Sequence, residues 1–127
     1  MEAKTKYSNE YIFNVSPKVL YTRLSTTGGL SEWFADDVEI NDIIYKFCWE
    51  KVCEEAKLIS KKENKCVRFQ WLSESKSNTY FEFRINVEEL TGDVALVITD
   101  FAPESEVEDA KILWDLQVAD LKRALGI

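Results

Sequence analysis

The chain has 127 residues, of which 46% are hydrophobic and 31% charged, and its formal net charge is −7. The length is that of one domain over residues 1–127, and the 4 Trp, 5 Tyr and 7 Phe exclude a disordered chain because they supply ample apolar surface to bury. The acidic balance predicts no nucleic-acid partner, since it repels the phosphate backbone.

The first third of the chain predicts one strand and two short helices. Residues 7–15 are rich in aromatic and β-branched side chains that alternate, as in a half-buried strand. Ser16 and Pro17 have the residue types of a helix N-cap and of the first helical position, and residues 26–29 end this helix. A second short helix is predicted over residues 30–34.

The middle of the chain predicts an antiparallel sheet. Apolar and polar residues alternate here with a period of two, and short polar turns separate the alternating stretches. Consecutive strands that are joined by short turns pair in antiparallel order, with one face of the sheet covered. The predicted strands are 38–40, 43–49, 52–59, 66–71, 81–87 and 94–101.

The last predicted element is a long amphipathic helix over residues 105–125, with Ser105 as its N-cap and Gly126 as its stop. No other element is long enough to cover the sheet. The sequence therefore predicts an α+β fold, in which a curved antiparallel sheet of about six to seven strands wraps around this helix. The apolar stripe of the helix consists of Val107, Ala110, Trp114, Val118, Leu121 and Leu125.

Three cysteines and the absence of histidine limit the metal and redox chemistry. Cys48, Cys53 and Cys66 form an odd set without a C-x-x-C pair, and we expect reduced thiols that act as small apolar groups. Zinc lacks its usual histidine ligands, so no metal or other cofactor is predicted. We expect no signal peptide and no membrane span, which favours the cytoplasm.

Few residues offer catalytic chemistry. Without histidine, no Ser-His-Asp or Cys-His arrangement is possible. The acid pairs at 36–37, 54–55 and 88–89 are typical of surface charge, because adjacent strand residues point to opposite faces. Glu54 and Tyr45 are the two groups that could act on an apolar substrate if they point inward. Desolvation would raise the pKa of an inward Glu54 unless Arg68 or another cation pairs with it. No catalytic residue is assigned, and whether the protein is an enzyme stays open, with binding favoured.

Aromatic side chains dominate the predicted concave face of the sheet and the facing side of the helix. Such stripes usually form a solid core, yet indole and phenol groups also supply the polar contacts of a ligand pocket. Core alone and core with a pocket both remain open, and Gln117 lies either inside or on an exposed flank. The candidate pocket residues are Trp33, Tyr45, Phe47, Trp49, Phe69, Trp71, Phe81, Phe83, Trp114, Gln117, Val118 and Leu121.

Four stretches follow one another in an order that resembles a known family. They are a strand that runs through Ser-Pro into a helix (11–26), LSEWFADD (30–37), a sheet segment that contains VRFQW (45–71), and the closing WDLQVADLKRAL (114–125). Together they resemble the START-like (SRPBCC) superfamily, and within it the branch of activator-of-Hsp90-ATPase homologues. Asn41-Asp42 stands where that branch often has a glycine. The resemblance implies a helix-grip fold with a cavity between the long helix and the sheet, and no invariant catalytic set.

Members of this superfamily bind lipids, sterols, polyketides or hormones, a few are enzymes, and the eukaryotic activator works on a chaperone. The favoured function is therefore non-enzymatic binding of a hydrophobic or amphipathic small molecule between helix and sheet. The first alternative is a protein-interaction domain, for which the acidic cluster Asp36, Asp37 and Glu39 beside Trp33 and Phe34 is the candidate surface. The second alternative is an enzyme that acts on a carbonyl-bearing apolar substrate. The protein is expected to be a monomer or a homodimer.

Overall fold

Seven antiparallel strands form one sheet in a computed structural model of the protein, which describes residues 3–127. The strand order is β1-β7-β6-β5-β4-β3-β2, so that β1 pairs with β7 and each remaining pair is a hairpin neighbour. The predicted α+β fold with an antiparallel sheet is confirmed. The strands are β1 (Lys4–Phe13), β2 (Asp37–Asn41), β3 (Ile44–Trp49), β4 (Val52–Lys62), β5 (Cys66–Trp71), β6 (Phe81–Val87) and β7 (Val94–Pro103).

Two short helices follow β1. The first, α1 (Pro17–Ser25), begins as predicted, because the Ser16 hydroxyl accepts a hydrogen bond of 3.2 Å from the Val19 amide. The second, α2 (Thr27–Leu30), contains the two glycines that were predicted to end α1, so a second short helix is confirmed but its predicted bounds of 30–34 are wrong. A new cap explains the difference, since the Thr26 hydroxyl accepts a hydrogen bond from the Gly29 amide at 2.9 Å.

Gly29 is required at this helix junction because the two helices are very close. A Cβ atom at this position would lie 2.2 Å from the carbonyl oxygen of Thr22. The junction turns the chain sharply after α1 and directs residues 33–35 into the core, where all three are buried.

The C-terminal helix α3 (Val107–Leu125) covers the concave face of the sheet. Its N-cap is Glu106 rather than the predicted Ser105, because a single 3-10 turn at 104–106 precedes the helix. Its end is as predicted, since Gly126 adopts a φ of 75°, in the left-handed region that favours glycine. The buried residues of α3 are Trp114, Val118 and Leu121, which belong to the predicted stripe.

The β3–β4 hairpin contains a disulfide bond between Cys48 and Cys53. The expectation of three reduced thiols is therefore wrong for two of them, while Cys66 is a buried free thiol. The physical reason is the register of the hairpin, which places Cys48 directly opposite Cys53 with their Cα atoms 4.0 Å apart. An odd count of cysteines does not reveal such a cross-strand pair. No helix within residues 3–127 is both long enough and apolar enough to cross a membrane.

Candidate functional site

A cavity of about 230 Å³ lies between α3 and the concave face of the sheet, and we call it the main cavity. Its wall is largely aromatic. The aliphatic side chains of Ala110 and Leu113 in α3 form one side, and Asp100 and Gln117 add polar groups to the lining. The lining residues are Tyr7, Phe34, Trp49, Trp71, Phe81, Asp100, Ala110, Leu113, Trp114 and Gln117.

A second depression of about 250 Å³, the side cavity, adjoins the main one. The two share Phe34, Trp49 and Gln117 in their linings. The indole Nε1 of Trp49 and the amide Nε2 of Gln117 both donate to the Phe34 carbonyl oxygen, at 2.8 Å and 3.1 Å. These two hydrogen bonds form the divider between the cavities, and they join the end of β3 to α3.

Asp100 is a carboxylate in the lining of the main cavity, and we call Asp100, Tyr7 and Trp114 the inner polar cluster. The Trp114 indole Nε1–H lies 3.1 Å from the Tyr7 hydroxyl oxygen and 3.2 Å from Asp100 Oδ2. The Tyr7 hydroxyl in turn lies 3.4 Å from Asp100 Oδ2. Tyr7 and Asp100 face each other across the β1–β7 pair, and α3 contributes the indole from above.

Burial changes the acid–base behaviour of this cluster. It raises the pKa of Asp100 above the ordinary value of an aspartate, although hydrogen bonds from the Phe101 amide, Trp114 and Tyr7 and the charge of Lys4 act in the opposite direction. Burial also raises the pKa of the Tyr7 phenol, and the neighbouring Asp100 charge adds to the effect. Both shifts favour the neutral form of the groups that face the cavity.

The opposite flank of α3 is closed by a different set of contacts, which we call the outer polar cluster. The Tyr11 hydroxyl donates to Asp115 Oδ1 at 2.6 Å, and Asn9 Nδ2 donates to the Tyr11 oxygen at 2.7 Å and to the Lys111 carbonyl oxygen at 3.2 Å. These bonds hold α3 against β1. The main cavity forms along the other flank of α3, where Trp49, Trp71 and Phe81 of β3, β5 and β6 line it together with Tyr7 and Asp100.

The predicted pocket residues divide into three groups. Trp49, Trp71, Phe81, Trp114 and Gln117 line the main cavity, and Trp33 lines the side cavity. The others lie in the buried core outside both linings, because they point to the centre of the sheet where α1, α3 and the aromatic rings pack closely. These core residues are Tyr45, Phe47, Phe69, Phe83, Val118 and Leu121.

Sequence reasoning missed half of the lining residues of the main cavity. Asp100 had a readable signal, because it has the same strand parity as Leu96 and Ile98, which are fully buried. An acid at an inward position of an apolar strand indicates a carboxylate that faces the core, and Asp100 is half-buried there. Tyr7 had a similar signal, since it has the same parity as Phe13 in β1. Ala110 belongs to the predicted apolar stripe of α3, whereas Phe34 and Leu113 had no such signal, because their place depends on how the α2–β2 link and α3 meet.

The two groups considered for catalysis lie elsewhere. Glu54 lies opposite Phe47 in the β3–β4 register, but it is exposed, because β4 pairs with β5 only from Ala56 onward and Glu54 lies beyond the end of β5. The expectation of a buried carboxylate at this position is therefore wrong. Arg68 forms an ion pair with Glu82 at 3.1 Å instead. Tyr45 is buried and its hydroxyl donates to the Ser25 carbonyl oxygen at 3.3 Å, outside the main cavity.

The acidic cluster considered as a docking surface is only partly available. Asp36, Asp37 and Glu39 are exposed, but Asp36 Oδ2 accepts a hydrogen bond of 2.7 Å from the Glu50 amide. Trp33 and Phe34 are buried, at 5% and 4% exposure, because the α2 junction turns them into the core. The aromatic half of the expected surface is therefore absent from the exterior.

The sequence matches the family model of the START-like superfamily domain over residues 1–127. The solution structure of BfR322 from Bacteroides fragilis is 39% identical, covers 100% of this chain and 94% of its own, and superposes with a TM-score of 0.70. The Aha1 dimer from Colwellia psychrerythraea is 21% identical over 97% of each chain, with a TM-score of 0.79. CalU16 from Micromonospora echinospora is 10% identical over 95% of this chain and 80% of its own, with a TM-score of 0.69. No curated protein matches the sequence significantly.

Proposed function

The chain belongs to the START-like superfamily, as its sequence motifs indicated, and from this premise we propose that it binds one small apolar or amphipathic molecule in the main cavity without converting it chemically. The observation that carries the proposal is an aromatic cavity with an open flank beside α3, into which only a few polar groups point. Ligand sites in proteins have this composition, with mostly apolar walls and a small number of orienting polar groups.

The volume of the main cavity limits the size of the ligand. An apolar cavity of about 150 Å³ holds a benzene molecule, so a cavity of about 230 Å³ accommodates a single substituted ring or a short branched chain. A longer molecule would have to extend past Leu113, which is exposed at the rim, or displace Gln117 and enter the side cavity.

Benzyl alcohol is a suitable first probe, because it combines one ring with one hydrogen-bonding group. We expect saturable amide chemical-shift changes in a ¹H–¹⁵N NMR titration, largest at α3 and at the ends of β3 and β5. The fluorescence of Trp49, Trp71 and Trp114, which line the cavity, should change with the same concentration dependence.

Ala110→Phe tests the location, since a phenyl ring at this position fills the cavity from α3. The affinity for benzyl alcohol should fall at least about tenfold, equivalent to about 1.4 kcal/mol. Ala119→Phe is the matched control, because Ala119 is exposed on the same helix. Binding that survives Ala110→Phe, or the absence of binding in the unmodified protein, would contradict the proposed function.

Native mass spectrometry of gently purified protein complements the titration. A discrete added mass that is lost on denaturation, and that is absent from Ala110→Phe purified in the same way, would identify the class of natural ligand. The same spectrum distinguishes a monomer from a dimer.

We expect the protein to act in the cytoplasm. Subcellular fractionation should recover it with cytoplasmic marker proteins, whereas recovery from an oxidising compartment, where the Cys48–Cys53 disulfide would persist, would refute this expectation.

A second candidate function, assembly into a homodimer, is favoured by one surface feature. Ile112 and Leu116 lie four residues apart on the outer face of α3 and are 55% and 60% exposed. The similar Aha1 structure is that of a dimer, which supports a second copy of this chain as the occupant of this face. Light scattering should then show a dimer that Leu116→Glu dissociates, and a monomeric unmodified protein would refute it.

A further inference from the structure

The main cavity contains a negative charge that no residue between 3 and 127 neutralises by an ion pair. Asp100 is the acidic residue of its lining, and none of the lining residues is Lys or Arg. The cation that acts on Asp100, Lys4, is itself paired with Glu74 in an exposed salt bridge. Carboxylates inside proteins are normally paired with a cation or fully hydrogen-bonded.

The hydrogen bonds of Asp100 leave part of its capacity unused. A carboxylate offers about four acceptor positions. The Phe101 amide occupies one on Oδ1 at 2.7 Å. The Trp114 indole shares its single hydrogen between Asp100 and Tyr7, and the Tyr7 hydroxyl lies at the long distance of 3.4 Å. Oδ1 therefore retains an acceptor position, and Oδ2 is held by weak bonds.

The walls around this carboxylate suit a positive charge. Trp114 and Tyr7 touch Asp100 directly, and the rings of Phe81, Trp71 and Phe34 complete the lining. Aromatic faces attract cations through their quadrupoles, most strongly where water is excluded. A carboxylate among aromatic rings is thus complementary to an ammonium group that carries an apolar body.

We propose that the main cavity selects organic cations, namely small protonated amines with an aromatic or branched aliphatic body, whose ammonium group pairs with Asp100. The inference rests on the proposed function and adds the charge of the ligand to it. The apolar body fills the space between Ala110, Trp49 and Trp71, and the ammonium group donates to the free acceptor position of Asp100. Carboxylate-bearing molecules of the same shape are excluded by the like charge.

The field of the whole protein acts in the same direction. The formal net charge is −7. In the lining of the side cavity, Glu32 pairs with Arg23 and Asp120 pairs with Arg123, so Asp36 and the net charge of the chain supply the negative potential. Such a potential raises the local concentration of cations and speeds their encounter with the site.

Three probes with one shape test the charge preference. Benzylamine is protonated at neutral pH, benzyl alcohol is neutral, and benzoate is an anion, and their dissociation constants can be measured by the same NMR titration. Benzylamine should bind about tenfold more tightly than benzyl alcohol, because its ammonium group adds the attraction of opposite charges to the hydrogen bond with Asp100, whereas the neutral hydroxyl offers the hydrogen bond alone. Benzoate should bind more weakly than either.

Asp100→Asn should bring the affinity for benzylamine to within about threefold of that for benzyl alcohol, since the charge pair is lost. Asp93→Asn, in the exposed turn between β6 and β7, removes the same charge far from the cavity and should leave the ratio unchanged. The ratio in the unmodified protein tests the proposal even where Asp100→Asn folds poorly. Equal binding of amine and alcohol, or a preference that persists in Asp100→Asn, overturns the selection of cations while the proposed function stands. Failure of all three probes to bind overturns both.

Discussion

The two flanks of α3 are held by different kinds of contact. On the β1 side, the outer polar cluster of Asn9, Tyr11 and Asp115 ties the helix to the sheet with short hydrogen bonds. On the other side, α3 is held by the hydrogen bond from Gln117 to the Phe34 carbonyl oxygen, and the main cavity lies beside this bond. One flank is a closed structural joint, and the other leaves aromatic surface without a partner.

The same pair of residue types serves both flanks. Tyr11 with Asp115 lies on the closed side, and Tyr7 with Asp100 lies at the base of the cavity. The outer pair has a hydroxyl-to-carboxylate distance of 2.6 Å, whereas the inner pair has one of 3.4 Å. A tyrosine–aspartate pair is thus structural where it is tight, and available to a further partner where it is loose.

The largest expected effect is a difference in the free energy of unfolding between substitutions on the buried face of α3 and substitutions at the rim of the main cavity. Leu121→Ala should lower the free energy of unfolding by about 2–5 kcal/mol, since Leu121 is fully buried and its loss leaves a hole. Leu113→Ala is the same change at the rim, where 63% of the side chain is exposed, and should cost less than about 0.5 kcal/mol. Urea denaturation followed by tryptophan fluorescence measures both. Similar losses in the two variants would mean that the rim is as tightly packed as the core.

The next largest effect concerns the disulfide bond in the β3–β4 hairpin. Reduction of the Cys48–Cys53 disulfide should lower the free energy of unfolding by about 2 kcal/mol, because the bond closes a short loop in the unfolded chain. Urea midpoints with and without a phosphine reductant measure this difference. The double variant Cys48→Ser with Cys53→Ser should not respond to the reductant, and a response there would trace the effect to another part of the molecule.

A smaller effect compares the two tyrosines directly. Tyr11→Phe should cost about 1–2 kcal/mol, because it removes a short bond to a carboxylate and an acceptor of Asn9. Tyr7→Phe should cost less, since the Trp114 indole still donates to Asp100 and the lost Tyr7 bond is long. Thermal unfolding of the two variants decides the order. A larger loss for Tyr7→Phe would show that the inner polar cluster also has a structural role.

The elements of this fold could be predicted from the chain because alternation and capping are local. The strands from β5 to β7 and the cap at Ser16 lie where their residue types predict them. The α2 junction could not be predicted, since the Thr26 cap and the close approach at Gly29 depend on how two helices meet. The disulfide likewise depends on the register of a hairpin rather than on the number of cysteines.

The site was less predictable than the fold for a physical reason. Strand parity identifies which side chains point inward, and Trp49, Trp71 and Phe81 were found in this way. Parity does not show where α3 withdraws from the sheet, so the fully buried Phe47 and Phe69 could not be separated from the lining. The outer polar cluster sets this position of α3, and its residues lie more than one hundred positions apart in the chain.

The smallest expected effect uses pH to distinguish the inner carboxylate. Burial raises the pKa of Asp100 in the folded protein, while the unfolded chain has the ordinary value of about 3.9. Between these two values the folded state binds more protons than the unfolded one, so the free energy of unfolding falls as pH rises through this window. The groups that face Asp100 are Tyr7 and Lys4 from β1 and Trp114 from α3, and all three oppose the upward shift of its pKa without reversing it.

In Asp100→Asn and Asp100→Ser, the free energy of unfolding should no longer fall with pH in this window. The absolute stabilities of the two variants should differ, because an Asn amide places a donor opposite the Phe101 amide or the Trp114 indole. The stability of each variant relative to the unmodified protein should therefore increase with pH above about 4 and become constant once Asp100 is ionised. Urea midpoints at several pH values between 3.5 and 8 measure the difference, and a constant offset would mean that Asp100 ionises as easily in the fold as in the unfolded chain. Saturating benzylamine should reduce the fall with pH in the unmodified protein, since an ammonium group beside Asp100 favours its charged form. The two polar clusters would then differ in one property: in the inner cluster, a ligand bound in the main cavity stabilises the charge of the carboxylate.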